Sequence, residues 1–262
     1  MLNLEVIGQG ATTTIYRDGN TAVKLYVDAP VDEADNEATR QQFAYNAGLP
    51  VPAVYGARKL KDNSIALDME YIAGRPLVQP GMDRDKRNQA IQVLVNLQCE
   101  VHKVHASSLP KLTDRLAWRI KTVEYLDEPQ KGDLLSFLHI MDGDFDNLCH
   151  GDFHPHNILY DGSKHWIVDW VDAAAGNPLA DACRTYLIFK QYMSRSAGIY
   201  LRTFCKESKT KQDDVLKWLP IIAASRLKEN MDEKSRLWLM TLIQEWYGSR
   251  SPTRTPPPNT PS

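Results

Sequence analysis

The chain has 262 residues, with 31 Lys+Arg against 33 Asp+Glu and a net charge of −2. That length supports one large domain or two lobes with sizeable cores, and the near-neutral balance argues neither for nucleic acid nor for an anionic membrane surface, so no such partner is expected. The apolar runs fall short of membrane-spanning length, Met1-Leu2-Asn3-Leu4-Glu5 lacks the features of a signal peptide, and Cys99, Cys149, Cys183 and Cys205 show no C-x-x-C spacing, so a cytoplasmic protein with reduced thiols is expected.

Residues 2–7 and 11–17 read as two strands around Ile7-Gly8-Gln9-Gly10-Ala11-Thr12-Thr13-Thr14, and Asp18-Gly19-Asn20 as a turn. Thr21 to Val27 reads as a third strand, with Ala22, Lys24 and Tyr26 on one face and Val23, Leu25 and Val27 on the other. A lysine at mid-strand between apolar neighbours either snorkels to the surface or has work to do. Gly8 and Gly10 lie ahead of it, and a glycine-rich hairpin lets the backbone approach phosphates that a lysine on the next strand can reach.

Asp32 to Ala47 has a helical pattern that Pro30 precedes, Gly48 closes and an acidic first turn supports. Ala34, Ala38, Gln41 or Gln42, and Tyr45 mark one face; Glu37 lies on the neighbouring face and can turn toward Lys24, with Glu33 as second choice and an exposed helical Glu as the plain alternative. Val51 to Leu60 and Ser64 to Tyr71 form a hairpin through Lys61-Asp62-Asn63. Five strands and one helix make a small lobe, 1–72, and the breaker cluster Ala73-Gly74-Arg75-Pro76 marks a hinge. The second lobe, 73–248, opens with a long helix from Asp83 to His105. Helices over Thr113–Leu126 and Gly132–Met141 follow. His102 and His105 read as packed residues or partners of a helix C-terminus.

The densest chemistry lies in His150-Gly151-Asp152-Phe153-His154-Pro155-His156-Asn157. Ile158-Leu159-Tyr160 and His165-Trp166-Ile167-Val168-Asp169-Trp170 read as strands joined at the turn signal Asp161-Gly162. A hairpin of this kind brings Asp169 back to the loop that bears Asp152 and Asn157. Asp152 can accept the proton of an attacking hydroxyl, while Asn157 and Asp169 offer oxygen ligands to Mg²⁺. Two other readings are available: His150, Asp152, His154 and His156 as transition-metal ligands, or the whole stretch as caps and turns.

The stretch resembles the aminoglycoside phosphotransferase and choline kinase-like family of small-molecule kinases, through His150-Gly151-Asp152 with Asn157, while His-Gly-Asp and Asp-Trp-Val depart from the protein-kinase signatures. The resemblance also covers Gly8, Gly10 and Ala22-Val23-Lys24-Leu25, although Thr13 replaces the third glycine. It implies a two-lobed protein kinase-like α+β fold, with a five-stranded antiparallel sheet and one helix in the small lobe and a mainly helical large lobe. It further implies ATP or GTP as donor, Mg²⁺ as cofactor and a small-molecule hydroxyl as acceptor. Asp152 then becomes the base, and Asn157 and Asp169 the metal ligands. Lys24, oriented by Glu37, positions phosphates; backbone groups of Glu70 and Ile72 meet the adenine edge; and Asp181, in Asn177-Pro178-Leu179-Ala180-Asp181, braces the catalytic loop.

The acceptor stays open. Polycationic aminoglycosides favour an acidic large lobe, yet residues 73–249 carry no net charge. A local cluster around Asp172, with Glu229, Asp232, Glu233 or Glu245, is one route to such a site. Choline, homoserine or a sugar are alternatives, and six tryptophans between Trp118 and Trp246 suit either an aromatic cage or a core. A catalytically inactive nucleotide-binding or scaffold protein is the reading from another class. It leaves the set Lys24, Asp152, Asn157 and Asp169 without a purpose. Residues 196–247 read as helical and amphipathic, and 249–262, with five prolines, as a disordered tail.

Overall fold

A computed structural model describes residues 5–10, 13–26, 32–60 and 62–250. The expectations on Val27, Pro30, Lys61 and 251–262, and the starts of the first and second strands, lie outside these residues. The small lobe contains β1 (Glu5–Gln9), β2 (Thr13–Asp18), β3 (Thr21–Tyr26), α1 (Glu33–Asn46), β4 (Val54–Lys59) and β5 (Ile65–Glu70). The sheet runs β1-β2-β3-β5-β4 with every neighbouring pair antiparallel.

Strand alternation explains where Lys24 goes. It shares a face with Ala22 and Tyr26, which are 7% and 2% exposed, and at 4% exposure it is drawn inside with them. That face packs with Ala34, Ile65, Leu67 and Met69 to form the small-lobe core. The buried stripe of α1 is Ala34, Glu37, Gln41 and Ala44, so Glu37 belongs to the inward face itself and Tyr45, 45% exposed, does not. Hydrophobicity misplaced that face because two of its four inward residues are polar.

The large lobe begins with the two-residue strand β6 (Arg75–Pro76), then α2 (Arg84–Val101), α3 (Leu112–Thr122), α4 (Glu128–Met141) and β7 (Asn147–Cys149). β8 (Ile158–Tyr160), β9 (His165–Ile167), β10 (Ala174–Gly176) and α5 (Pro178–Tyr192) follow. Caps set the helix starts: Asp83 accepts the Lys86 N–H, Asp127 and Gln130 form a capping box, and Asn177 accepts the Leu179 N–H ahead of Pro178. The hairpin pairs Ile158 with Ile167 and Tyr160 with His165, while β7 pairs with β10 through Cys149 and Ala174. β9 ends at Ile167, short of the expected Trp170, because Asp169 adopts a left-handed φ of 67°.

The expected helical region after 196 is four helices: α6 (Ser194–Ser208), α7 (Gln212–Leu216), α8 (Leu219–Arg226) and α9 (Glu233–Arg250). Lys209, at φ 56°, caps the first break, and Pro220 enters at the start of α8. Ser249 and Arg250, assigned to the tail, lie in α9. The large core gathers Ile91, Leu94, Leu116, Ile120, Phe153, Trp170, Phe189, Tyr200 and Trp218. Trp170 and Trp218 are thus core residues, and Trp166 Nε1 donates to Asp161, so these three are not free to form a cage. All four cysteines are free and all but Cys99 are buried. No helix among the described residues is long and apolar enough to cross a membrane.

Candidate active site

Lys24 and Glu37 meet where β3 faces α1. Lys24 Nζ donates to both Glu37 carboxylate oxygens at 2.9 Å and to Asp169 Oδ1 at 2.8 Å. Tyr26 Oη donates to the same Glu37 carboxylate, a contact the sequence did not signal. Glu33 plays no part in this group. Two carboxylates thus share one ammonium. Burial raises the Glu37 pKa to about 7; Lys24 offsets this in part and Asp169 adds to it. Burial works against the Lys24 charge, yet Glu37 and Asp169 outweigh it and raise its pKa above the ordinary lysine value. The left-handed turn at Asp169 aims its carboxylate at Lys24 and links the two lobes across the cleft.

That cleft encloses about 660 Å³. It is lined by Gly8, Lys24, Glu37, Glu70, Ile72, Asn157 and Asp169, among others, so seven of the nine sequence-selected residues share one cavity. Gly10 follows β1, and its N–H donates to Thr13 O at 2.8 Å. At the hinge, two of the four backbone groups expected to meet a base are already engaged. The Glu70 N–H donates to Ala53 O at 2.8 Å, and the Ile72 carbonyl accepts from the Gly74 N–H at 2.8 Å. This narrows the expectation to the Glu70 carbonyl and the Ile72 N–H.

Asp152 sits beyond the cleft floor, tied to it through Asn157. Asn157 Nδ2 donates to Asp152 O at 2.9 Å and lies 3.4 Å from Asp152 Oδ2. With its NH₂ so occupied, the Asn157 side-chain oxygen is the group left for a cation. Burial works against the charge of the Asp152 carboxylate. His154 Nε2 at 3.2 Å and Arg184 Nη2 at 3.2 Å outweigh that, and hold it well below the usual carboxylate range. The Asp152 carboxylate is therefore charged at neutral pH and only weakly basic.

The loop is held from behind. Asp181 Oδ1 accepts the Gly151 N–H at 2.7 Å, and its other oxygen accepts from Gln98 Nε2 at 3.2 Å and meets His102 Nε2 at 2.9 Å. Burial pushes the Asp181 pKa up, but His102, His150 and the Gly151 N–H bring it down to about 2. His150 packs on Trp170 with ring centroids 4.7 Å apart, and its Nε2 meets Val168 O at 3.1 Å. His150 and His154 are thus occupied by structural partners, and no group of three or more His, Cys, Asp or Glu suited to a metal ion exists among the described residues. The histidine-cluster reading fails on that ground. The set Asn157 and Asp169 fits a hard cation that takes its remaining oxygens from phosphates and water.

Nothing local in the chain marks the arginines around Asp152. Arg115 and Arg119 on α3 and Arg184 on α5 converge on Asp172, at 3.4, 3.2 and 3.8 Å. Arg119, Arg184 and Arg226 also share Glu229. The anticipated acidic cluster at Asp172 and Glu229 is therefore surrounded by guanidinium groups.

A family model described as "Phosphotransferase enzyme family" matches residues 3–214. The chain belongs to that family. No curated protein matches the chain. Among solved structures, this phosphotransferase is similar to an aminoglycoside-3'-phosphotransferase of type VIII, with 21% identity and TM-score 0.61 over 86% of this chain and 92% of that one. It is similar to a thermostable mutant of aminoglycoside phosphotransferase APH(4)-Ia in ternary complex with ADP and hygromycin B. There the identity is 15% and the TM-score 0.71, over 96% of this chain and 95% of the other. A GDP and kanamycin complex of APH(2")-IIIa gives 15% identity and TM-score 0.64 over 95% and 94%. At these identities the structures establish the shared kinase-like fold. The phosphotransferase thus has an N-terminal antiparallel-sheet lobe and a helical C-terminal lobe.

Proposed function

We propose that this phosphotransferase moves the γ-phosphoryl group of ATP or GTP to a hydroxyl of a small molecule. The observation that supports the reading most is the Lys24–Glu37–Asp169 contact across the cleft, with Asn157 on the same wall. A scaffold has no use for a buried lysine shared by two carboxylates. The nucleotide lies between lobes 1–72 and 73–248, with its base toward the Glu70 carbonyl and the Ile72 N–H and its phosphates toward Lys24 and the Gly8–Gly10 turn.

Asn157 and Asp169 would hold Mg²⁺. When bound, the ion neutralises charge on the phosphate oxygens. Lys24 spans the gap between Glu37 and the phosphates and keeps the donor aligned. Asp152 receives the acceptor hydroxyl, orients it by hydrogen bonding and takes its proton late, as the phosphoryl group arrives. Its weak basicity suits a loose transition state, in which the attacking oxygen need not be deprotonated early. Positioning and charge neutralisation supply the rate. A cytoplasmic setting with ATP and reducing conditions fits four free thiols.

The test is Mg²⁺-dependent transfer from ATP and GTP to a panel of hydroxyl compounds, read as a phosphomonoester product. Asp169→Asn should abolish transfer and weaken Mg²⁺-nucleotide binding while keeping the fold, because Asn also tolerates the left-handed backbone. Full activity in excess chelator would contradict the proposal, and activity restored by Zn²⁺ alone would return the histidines to consideration.

A further inference from the structure

The base of this site stands among arginines that outnumber their carboxylates. Arg115, Arg119, Arg184 and Arg226 face Asp152, Asp172 and Glu229, and Arg40, whose Nη1 donates to Val171 O at 2.6 Å, approaches from α1 and repels Arg115. The two carboxylates at the centre are each divided among three guanidinium groups. They are therefore saturated, and they offer no attraction to an incoming cation.

The arginines are less well supplied. A guanidinium has five N–H donors. Arg115 has one carboxylate partner among the described residues, Asp172 at 3.4 Å, which Arg119 and Arg184 already share. Arg115 also lies against the catalytic loop: a Cβ placed on Gly151 would come 2.9 Å from its Nη2. Burial brings the Arg115 pKa down to about 10, and Arg119, Arg184 and Arg40 reinforce the fall that Asp172 resists. Arg184 Nε is buried without a hydrogen-bond partner. Yet the group is not sealed. Side-chain exposure is 21% at Arg115, 18% at Arg119 and 29% at Asp152, so neither the donors nor the base are closed to solvent. A purely structural network needs neither the excess cation nor the opening.

We propose that Arg115 and Arg119 form an anion subsite beside Asp152, and that the acceptor bears a carboxylate or phosphate as well as the hydroxyl that is phosphorylated. This rests on the kinase reading, which supplies Asp152 as the group that meets the hydroxyl. An anion at the subsite satisfies the free donors of Arg115 and relieves the repulsion among the arginines. A polycation would meet the same arginines at close range, and juxtaposed like charges oppose its binding.

The experiment titrates inorganic phosphate, acetate and spermine into the ADP-saturated enzyme, read by calorimetry, for the wild type and for Arg119→Gln, Arg115→Gln and Lys24→Ala. ADP affinity, measured first, is the control on folding and on the kinase reading. Arg119 bridges Asp172 and Glu229 and its loss endangers the fold; Arg115 forms an ion pair with Asp172 alone, so Arg115→Gln is the safer variant. The expected result is that phosphate or acetate binds the wild type and spermine does not. Either arginine change should weaken anion binding about 10- to 100-fold, the worth of one charged hydrogen bond, with ADP affinity unchanged. Phosphate above acetate assigns a phosphorylated acceptor, and the reverse a hydroxy acid. The proposal is overturned if neither anion binds, or if spermine binds more tightly than both. It is also overturned if anion binding survives both arginine changes and is lost in Lys24→Ala, which would mark the terminal phosphate position of the nucleotide. If the wild type fails to bind ADP, the kinase reading falls first.

Discussion

Replacing Gly151 by Ala is the perturbation whose size the structure defines most closely. Gly151 has φ +82°, and a Cβ there would lie 2.2 Å from Asp172 O and 2.7 Å from Asp172 Cβ. The left-handed backbone alone costs a non-glycine residue about 1–2 kcal/mol. The overlap with Asp172 is with backbone, which cannot swing aside as a side chain can, so overpacking adds about 1–3 kcal/mol. A total of about 2–5 kcal/mol corresponds to a fall in Tm of roughly 5–15 °C for a chain of this size. The strain also falls on Asp152, the next residue, and a shift of about 1 Å at the reacting group costs about 10²-fold in rate. Thermal unfolding and kcat on an acceptor from the panel measure the two effects, with ADP affinity expected to hold because Lys24 and Asp169 lie elsewhere. Gly162→Ala is the control: its φ is +100° and nothing lies within 4 Å of its Cβ, so only the backbone cost remains. Equal Tm loss in the two variants, or a Gly151→Ala enzyme with wild-type kcat, would refute the crowding argument.

Lys24→Ala removes a charge-assisted contact worth about 2–5 kcal/mol when buried, so nucleotide use should fall far more than acceptor binding; steady-state kinetics with unchanged nucleotide KM and kcat would show a side chain without a role. Glu37, at about pKa 7 in the fold and 4.5 ordinarily, takes a proton as pH falls through 7. Lys24 then loses half of its anchorage, so kcat/KM for nucleotide should drop on the acid side of 7, and Glu37→Gln should flatten that limb. The sign for stability is opposite at this residue: between about pH 4.5 and 7 the folded chain holds a proton that the unfolded chain lacks, so the contribution of Glu37 falls as pH rises to 7. For Asp152 and Asp181 the folded pKa is depressed, so their contribution is fully present above the ordinary carboxylate pKa and is lost as pH falls from there through the folded pKa, which acid unfolding of Asp181→Asn against wild type would detect.

What the sequence revealed and what it hid divide along chain distance. The residues of one loop and its hairpin, Asp152, Asn157 and Asp169, were legible because spacing along the chain fixes their proximity. Lys24 was legible because alternation in a strand dictates a face; Glu37 came from the family resemblance, since the apolar pattern of its helix set it on a neighbouring face. Arg115, Arg119 and Arg184 were not, because their meeting depends on how α3 and α5 pack. Arg184 stands within a helix whose apolar spacing drew the reading, and nothing local marks its partner Asp152 or Glu229, 45 residues on. His102, which reads as a packed residue or a partner of a helix C-terminus, packs against Asp181, 79 residues away. The three-residue strands β7 and β10 escaped notice since so short a ladder has no periodicity to detect. The His-Gly-Asp departure was visible as a pattern; its cause, the carbonyl of Asp172 pressed against position 151, required coordinates.

The central claim is that Asp152 serves the acceptor hydroxyl at a site where Lys24 and Asp169 hold the nucleotide. Its most direct test is phosphoryl transfer by wild type and Asp152→Asn, with nucleotide affinity measured on both proteins. A positioned base is worth about 10²–10⁴-fold, and with His154 and Arg184 keeping Asp152 weakly basic the loss should lie near the lower end, on kcat, with nucleotide affinity intact. An Asp152→Asn enzyme with wild-type kcat would contradict the account and remove the His150–Asn157 loop from the chemistry.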